Sequence, residues 1–369
     1  MKVMIYTFRN ENMISGEKYT TTFLYNYLQS GYEVVRQEEC GLTDKQSFWT
    51  FLSISKYTAL RKISKNNLVD LLIVKIPTAS QVFLIPLLTT GFKGKILVWI
   101  DGLMWEFPGA RLSLEFLKRE PLVFLARMFI NNRIWSRVAK LQTLHYVVSS
   151  ETQKNQFVHH LSIDSTIHVI PNAVPYTESF KSSREVKGRS KNGQGICFGY
   201  IGHSYPVKGL IDIKKSFELL DKRQISPRLE LALSGRGALA DDMRISLPQV
   251  VYSGIVDRSE FYARIDCLIF PYWADWGTNT FPSVLLESIE LGIPVIVPDS
   301  NLSRELFGES GAIFYARTDY SDLANVIENL YLGNVALPSE ESLRRLYHDK
   351  LSKERIESKW CSLINTGAC

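Results

Sequence analysis

The chain is 369 residues long, 45% hydrophobic and 22% charged, the profile of an ordinary globular protein with room for about two domains and sizeable cores. Its five cysteines, Cys40, Cys197, Cys267, Cys361 and Cys369, make no CxxC pair and leave one over after any pairing, which argues against a disulfide framework or zinc site and for a reducing compartment. Residues 1–172 carry 20 Lys and Arg against 13 Asp and Glu, about +7, and the whole chain is +5, so the remainder is about −2 and the first half alone is basic.

The opening "MKVMIYTFRNENM" returns to charge too early for a signal peptide. "KVMIYTF" predicts a short strand, and "GEKYTTTFLYNYLQSG" a helix with Phe23, Leu24, Tyr27 and Leu28 on its apolar face. "SKYTALRKISKNN" is a basic patch, and "LVDLLIVK" a buried strand. The most apolar run, "VFLIPLLTTGF" from Val82, is interrupted by Pro86 and Gly91 well short of a bilayer span. "KILVWID" is a further buried strand. Residues 109–141 interleave Arg127, Arg133, Arg137 and Lys140 with large apolar groups, a pattern suited to an anionic membrane surface or to a core-facing helix with a solvated basic face. No recognised nucleic-acid motif accompanies this charge. "HYVVSS" and "IHVIPNAV" continue the strand series, and alternation of this kind implies a parallel sheet covered on both faces.

Residues 176–195, "YTESFKSSREVKGRSKNGQG", are polar and basic with almost nothing to bury, and read as a linker. The alternation then restarts with "ICFGYIG", "LIDIKKSFELL", "LELALSG", "VVYSG", "RSEFYARI", "DCLIFPY", a helix ending at Gly292, "PVIVPD", "AIFY" and "YSDLANVIENLYLG", a second doubly wound unit. In "GYIGHSYPVKGLIDIKKSFELL", Gly199 and Gly202 allow close backbone approach, and Lys208 and Gly209 precede a helix whose free amides favour an anion; a surface lysine before a helix is the plainer alternative. "SGRG" at 234–237 is a weaker turn of the same kind. In "FPSVLLESIELGIPVIVPD", Pro282 suits a first helical turn and Glu287 falls among apolar residues. A buried carboxylate needs partners: the vicinal hydroxyls of a ribose would supply two donors, and backbone amides or an arginine would serve equally.

Taken in order, these stretches resemble glycosyltransferase family 4, retaining, nucleotide-sugar-dependent enzymes of the GT-B fold. "VVSSETQKNQF" and "IHVIPNAV" resemble the family's end of the first domain, "GYIGHSYPVKG" its phosphate loop, "LELALSGRG" and "VVYSGIV" its nucleotide strands, "FPSVLLESIELGIPVIVPD" its signature, and "SKERIESKWCSLI" its closing helix. The resemblance implies an α/β GT-B fold, two doubly wound Rossmann-like domains facing across a cleft. It assigns 1–175 to acceptor binding, 176–195 to the linker, 196–338 to nucleotide-sugar binding, and 339–369 to a helical segment packing back toward the first domain. Glu287 would hold the ribose and Lys208 the diphosphate, with amides of Thr280, Phe281 and Ser283 lining the donor pocket. The signature's first glutamate falls on Asn279, which keeps an acceptor and adds a donor but removes the charge. The family's phosphate-loop arginine falls on His203. Gly16 falls near the leaving phosphates, and Asp101 where many members carry a sugar-contacting histidine, a helix or turn cap being its alternative role. Gly202, Gly235 and Ser253 complete the donor-binding set; Lys208, Asn279 and Asp101 are the catalytic candidates. Trp273 and Trp276 flank the donor loop as sugar-stacking, core or lid residues.

No DxD motif occurs. The resemblance therefore implies a leaving nucleoside diphosphate neutralised by Lys208, a helix N-terminus and amides, with no metal and no cofactor beyond the donor substrate. It implies transfer to a saccharide acceptor, lipid-linked, in cell-surface polysaccharide or lipopolysaccharide assembly, by a cytoplasmic protein peripheral at the inner face of the membrane. A non-catalytic nucleotide-binding subunit, suggested by Asn279 and His203, and a nucleotide-sugar epimerase are the alternatives.

Overall fold

The computed structural model describes residues 1–7, 16–35, 54–66, 68–76, 85–100, 102, 144–161, 167–173, 195–204, 206–234, 245–273 and 281–365. The chain divides into two compact units, one of Met1–Ala173, Asp275–Phe281 and Lys353–Cys369, the other of Val174–Ala274 and Pro282–Ser352. Of the linker stretch, only Gly195 is among the described residues.

In the first unit β1 (Lys2–Thr7), β2 (Glu33–Val34), β3 (Leu71–Ile76), β4 (Lys95–Ile100), β5 (His145–Val148) and β6 (Ile167–Val169) form a parallel sheet in the order β2-β1-β3-β4-β5-β6. Successive residues point to opposite faces. Met4, Leu72, Val74 and Val98 therefore pack with Leu60 and Ile63 of the Ile54–Asn66 helix, and Val3, Leu71, Ile73 and Leu97 with Leu24 and Leu28 of the Gly16–Gln29 helix. Within the buried run "LLIVKI" sits one cation, Lys75, whose Nζ donates to Thr20 Oγ1 at 2.6 Å and Thr21 Oγ1 at 3.0 Å and lies 4.0 Å above the Trp99 ring. The Lys353–Asn365 helix completes the second of these cores with Ile356, Trp360, Leu363 and Ile364, Trp360 meeting Trp99 edge-on at 5.3 Å.

In the second unit β7 (Cys197–Gly202), β8 (Arg228–Leu233), β9 (Val250–Tyr252), β10 (Cys267–Ile269), β11 (Val295–Pro298) and β12 (Ile313–Tyr315) are again all parallel, in the order β12-β11-β10-β7-β8-β9. The order reverses between β7 and β10, the place where such sheets bind ligands beyond their carboxyl ends. Gly199 lets the Arg258–Arg264 helix lie close on β7: a Cβ there would stand 2.6 Å from Ile265 Cγ2 and 2.9 Å from Phe261 Cζ. The Ser283–Glu290 helix ends in a Schellman motif at Gly292, φ +66°, with Gly292 N–H donating to Ile289 O at 3.0 Å and Ile293 N–H to Ser288 O at 2.8 Å. The tail is divided: the Glu340–Lys350 helix belongs to the second unit and the Lys353–Asn365 helix to the first. Among the described residues no helix is long and apolar enough to cross a membrane.

Truncating the anchor of the closing helix tests its place in the first unit. Trp360→Ala should destabilise the protein by about 3–5 kcal/mol, the range for emptying a buried aromatic site. Urea unfolding followed by the far-ultraviolet signal measures this, and a loss under about 1 kcal/mol would mean the helix contributes little to the core.

Candidate functional site at a strand-order reversal

The backbone is stitched across the reversal by contacts that place Lys208. β7 leads through Gly202 into the turn Pro206–Lys208 and then, through Gly209, into the Leu210–Lys222 helix. Gly209 adopts φ +68°, and a Cβ there would lie 1.8 Å from the carbonyl oxygen of Pro271, just beyond β10, so only glycine fits. Trp273 N–H donates to Val207 O at 2.9 Å, and the Trp273 indole N–H donates to the buried Asp212 carboxylate. Trp273 is buried as a brace of this turn. Lys208 Nζ donates to Tyr272 Oη at 2.6 Å and sits 3.9 Å from the centre of that ring, joining the segments after β7 and β10. Burial holds the Tyr272 phenol well above its ordinary pKa, so it is a neutral acceptor and leaves the ammonium charge in place.

Two helix N-termini follow these central strands. The Leu210–Lys222 and Ser283–Glu290 helices begin at Gly209 and Pro282, neither of which supplies a side-chain cap. The other four described helices of the unit are each capped, by Asp257, Ser300, Asp319 and Ser339. Uncapped amides and the helix dipole favour an anion. Ser283 is buried in the first turn of the second of these helices, and Phe281, just before it in sequence, is buried also.

Glu287 has no exposed surface, and both its oxygens are engaged: the Arg258 guanidinium donates to Oε1, and Tyr262 Oη to Oε2 at 2.8 Å. Arginine pairing, one of the alternatives left open by the sequence, is realised here. Burial pushes the Glu287 carboxyl up to about 7, against the opposing pull of Arg258 and Tyr262. The same short helix grips a second buried carboxylate, since Arg264 makes a forked pair with Glu230 of β8, Nε at 3.0 Å from both oxygens and Nη2 at 2.6 Å from Oε1. Ser253 Oγ donates to that Glu230 at 3.0 Å. His203 meets Ser234 through Nδ1 and Oγ at the ends of the paired strands β7 and β8, while its carbonyl accepts from Tyr200 Oη at 2.7 Å.

Lys208, Gly202 and His203 thus gather at the end of β7, with Ser234 beside them. Ser253 belongs to the Glu230 cluster. Gly16 begins a helix of the first unit. Asp101, Gly235, Asn279, Thr280 and Trp276 lie outside the described residues, as do Arg127, Arg133, Arg137 and Lys140. Reasoning from the sequence missed Arg258 and Tyr262, although their spacing of four on "RSEFYAR" is that of two residues sharing a helix face.

Residues 195–332 match the family model described as Glycosyl transferases group 1, which makes sugar transfer the enzyme class supported by the second unit. Solved structures like this one include the Anabaena protein HepE in complex with UDP and glucose (11% identity, TM-score 0.65, covering 99% of this chain and 100% of that one). Another is sucrose-phosphate synthase from Thermosynechococcus elongatus (13%, TM-score 0.68, 99% and 98%). A third is the lipopolysaccharide outer core galactosyltransferase WaaB in its apo form (13%, TM-score 0.64, 100% of both chains). These likenesses establish the GT-B fold. No curated protein sequence matches the chain.

The raised Glu287 carboxyl has a consequence for stability. A carboxyl higher in the folded than in the unfolded protein adds stability below its unfolded pKa and loses it as pH rises toward the folded value, here about 7. Wild type relative to Glu287→Gln should therefore be more stable at pH 5 than at pH 8 by about 2 kcal/mol, as read from chemical denaturation at both pH values. An unchanged difference would mean that Glu287 titrates as it does in the unfolded chain.

Proposed function

We propose that the protein is a retaining glycosyltransferase that moves a sugar from a nucleotide-sugar donor to a saccharide acceptor. The observation that carries this reading is Lys208 at the strand-order reversal, with, among the described residues, two helices without side-chain caps following the central strands, all within the glycosyl transferases group 1 match. The HepE structure with UDP and glucose supports a nucleotide sugar as donor. Breaking the bond between the sugar's anomeric carbon and the diphosphate leaves negative charge on the phosphate oxygens. Lys208, together with uncapped amides, would neutralise that charge with no metal assigned to the step. Glu287 would accept the ribose hydroxyls, and Asn279 would address the donor sugar. Asp101, Gly16, Gly235, Thr280, Phe281 and Ser283 belong to the same proposal as donor-site residues.

The acceptor is proposed to be lipid-linked, in cell-surface polysaccharide or lipopolysaccharide synthesis. The interleaved cations Arg127, Arg133, Arg137 and Lys140 support a membrane-facing surface, and the WaaB likeness fits that setting.

Lys208→Ala should keep the fold and lower transfer by about 10- to 100-fold, the loss of about 1.5–3 kcal/mol expected of a charge-assisted hydrogen bond made to the leaving group. Steady-state kinetics with the donor selected from UDP, GDP, dTDP and ADP sugars by thermal shift measures it, and unchanged kinetics in a folded variant would remove Lys208 from the site. A second comparison separates ribose from sugar. Glu287→Gln should weaken nucleotide and nucleotide sugar alike, whereas Asn279→Ala should reduce turnover and spare affinity for the free nucleotide. Equal loss of nucleotide affinity in both variants would overturn that division.

A further inference from the structure

We propose that Arg258 is a positioning residue for nucleotide binding: it pairs with Glu287 and favours the carboxylate over the acid in the unliganded protein, and it yields the oxygen it holds when a ribose diol arrives. The inference rests on the reading of Glu287 as the ribose ligand.

Three features of the geometry lead to it. Glu287 has no exposed surface, so no ribose reaches its oxygens until a present partner moves. Of the two partners, Tyr262 is buried and also donates to Val284 O at 3.2 Å, which ties it to the backbone of the helix that carries Glu287. Arg258 is 25% exposed, so it is the partner that solvent already reaches. Its place at the first position of a short helix, directly after the Asp257 cap, gives its side chain a route to solvent.

The charge follows from the surroundings. The titratable groups facing the carboxyl are Arg258 and Tyr262 from the neighbouring helix and Glu290 from its own. The Glu340–Lys350 helix, packed against the same helix, contributes Glu340, whose charge is paired with Arg344 at 2.7 Å. Among the described residues, Arg258 is thus the cation acting on Glu287. Without it, burial and Glu290 both favour the protonated acid. A carboxylate accepts both hydroxyls of a vicinal diol, whereas the protonated acid carries a donor in place of one acceptor. Arg258 therefore sets the pH range in which the diol is accepted, although it need not touch the nucleotide.

The test is calorimetric titration of the full-length protein with UDP, GDP and ADP and their 2′-deoxy counterparts, from about pH 5.5 to about pH 9. For the ribonucleotide bound best by wild type, affinity should rise with pH around a midpoint near 7, and the 2′-deoxy counterpart should show a weaker rise. In Arg258→Gln the midpoint should move up by about one to three pH units, with affinity approaching that of wild type at the alkaline end. Arg258→Lys should restore the wild-type midpoint. Tyr262→Phe, which keeps the ring and removes one donor, should move the midpoint in the same direction, and it stands in should Arg258→Gln not fold.

A uniform loss of affinity in Arg258→Gln with an unmoved midpoint would reduce Arg258 to a packing role and overturn the inference while leaving the sugar-transfer reading intact. A wild-type pH dependence identical for ribo- and 2′-deoxynucleotides would overturn the ribose role of Glu287 itself, and failure of all three ribonucleotides and their 2′-deoxy counterparts to bind would overturn the donor site.

Discussion

Much of the second unit's helix packing serves one buried group, the Glu287 carboxyl, whose two oxygens are met by donors out of water. An ionised carboxylate in the interior costs several kcal/mol unless its oxygens are met by donors. Here the donors come from the Arg258–Arg264 helix, which in turn has to be held against the sheet. Its Asp257 cap fixes its start, accepting from Ser259 N–H at 2.8 Å and Glu260 N–H at 3.2 Å. Gly199 opens the space on β7 into which Phe261 and Ile265 press. At its far end Arg264 takes the forked grip on Glu230. One helix of two turns is thereby pinned at both ends by charge and in the middle by apolar packing. Apolar pairs would serve stability as well as these ion pairs do, so stability alone gives Glu287 no reason to be ionisable.

Lys208 is fixed by a different cause. The backbone itself makes the approach: Gly209 lies against the Pro271 carbonyl, and Trp273 ties Val207 through its amide and Asp212 through its indole. The lysine then rests on Tyr272, a neutral phenol. The phenol accepts from the ammonium without carrying a charge of its own. Lys350 is held in another way, its Nζ capping the backbone carbonyls of Glu305 and Leu306 at 2.7 and 2.9 Å.

Much of the fold is written in local pattern. The runs "LLIVKI", "KILVWI" and "VIVP" are apolar enough that only strands covered on both faces suit them, and the helix stop at Gly292 is explicit in the residue that can take φ +66°. The strand order is not local, because which strand lies beside β7 depends on crossovers that no short window contains. The same limit hid the ion pairs. Glu287 declared itself as a charge in an apolar helix, but its partner lies 29 residues earlier in the chain, and nothing short of the tertiary fold couples the two. Lys75 escaped notice for the opposite reason, since one cation in a strand of five apolar residues reads as an edge or an end until Thr20, Thr21 and Trp99 are seen around it. β2, two residues long, offers too little periodicity to be read at all.

Lys208 and Glu287 make opposite demands on their surroundings, and the unit meets both within a single sheet. The lysine, proposed to meet the leaving phosphates, is half-buried in the turn beyond β7, where the chain leaves the core. The glutamate is dry, which on the proposed reading makes hydroxyl donors worth more to it than water is, and six of the other eight positions from Ser283 to Leu291 are buried with it. A dry carboxylate needs a resident cation while the site is empty, and Arg258 at the solvent margin is positioned to be that cation. The strand-order reversal reconciles these demands, because the chain leaves β7 and β10 toward different neighbours beyond their ends while the strands themselves, and the helices packed on them, stay in the core.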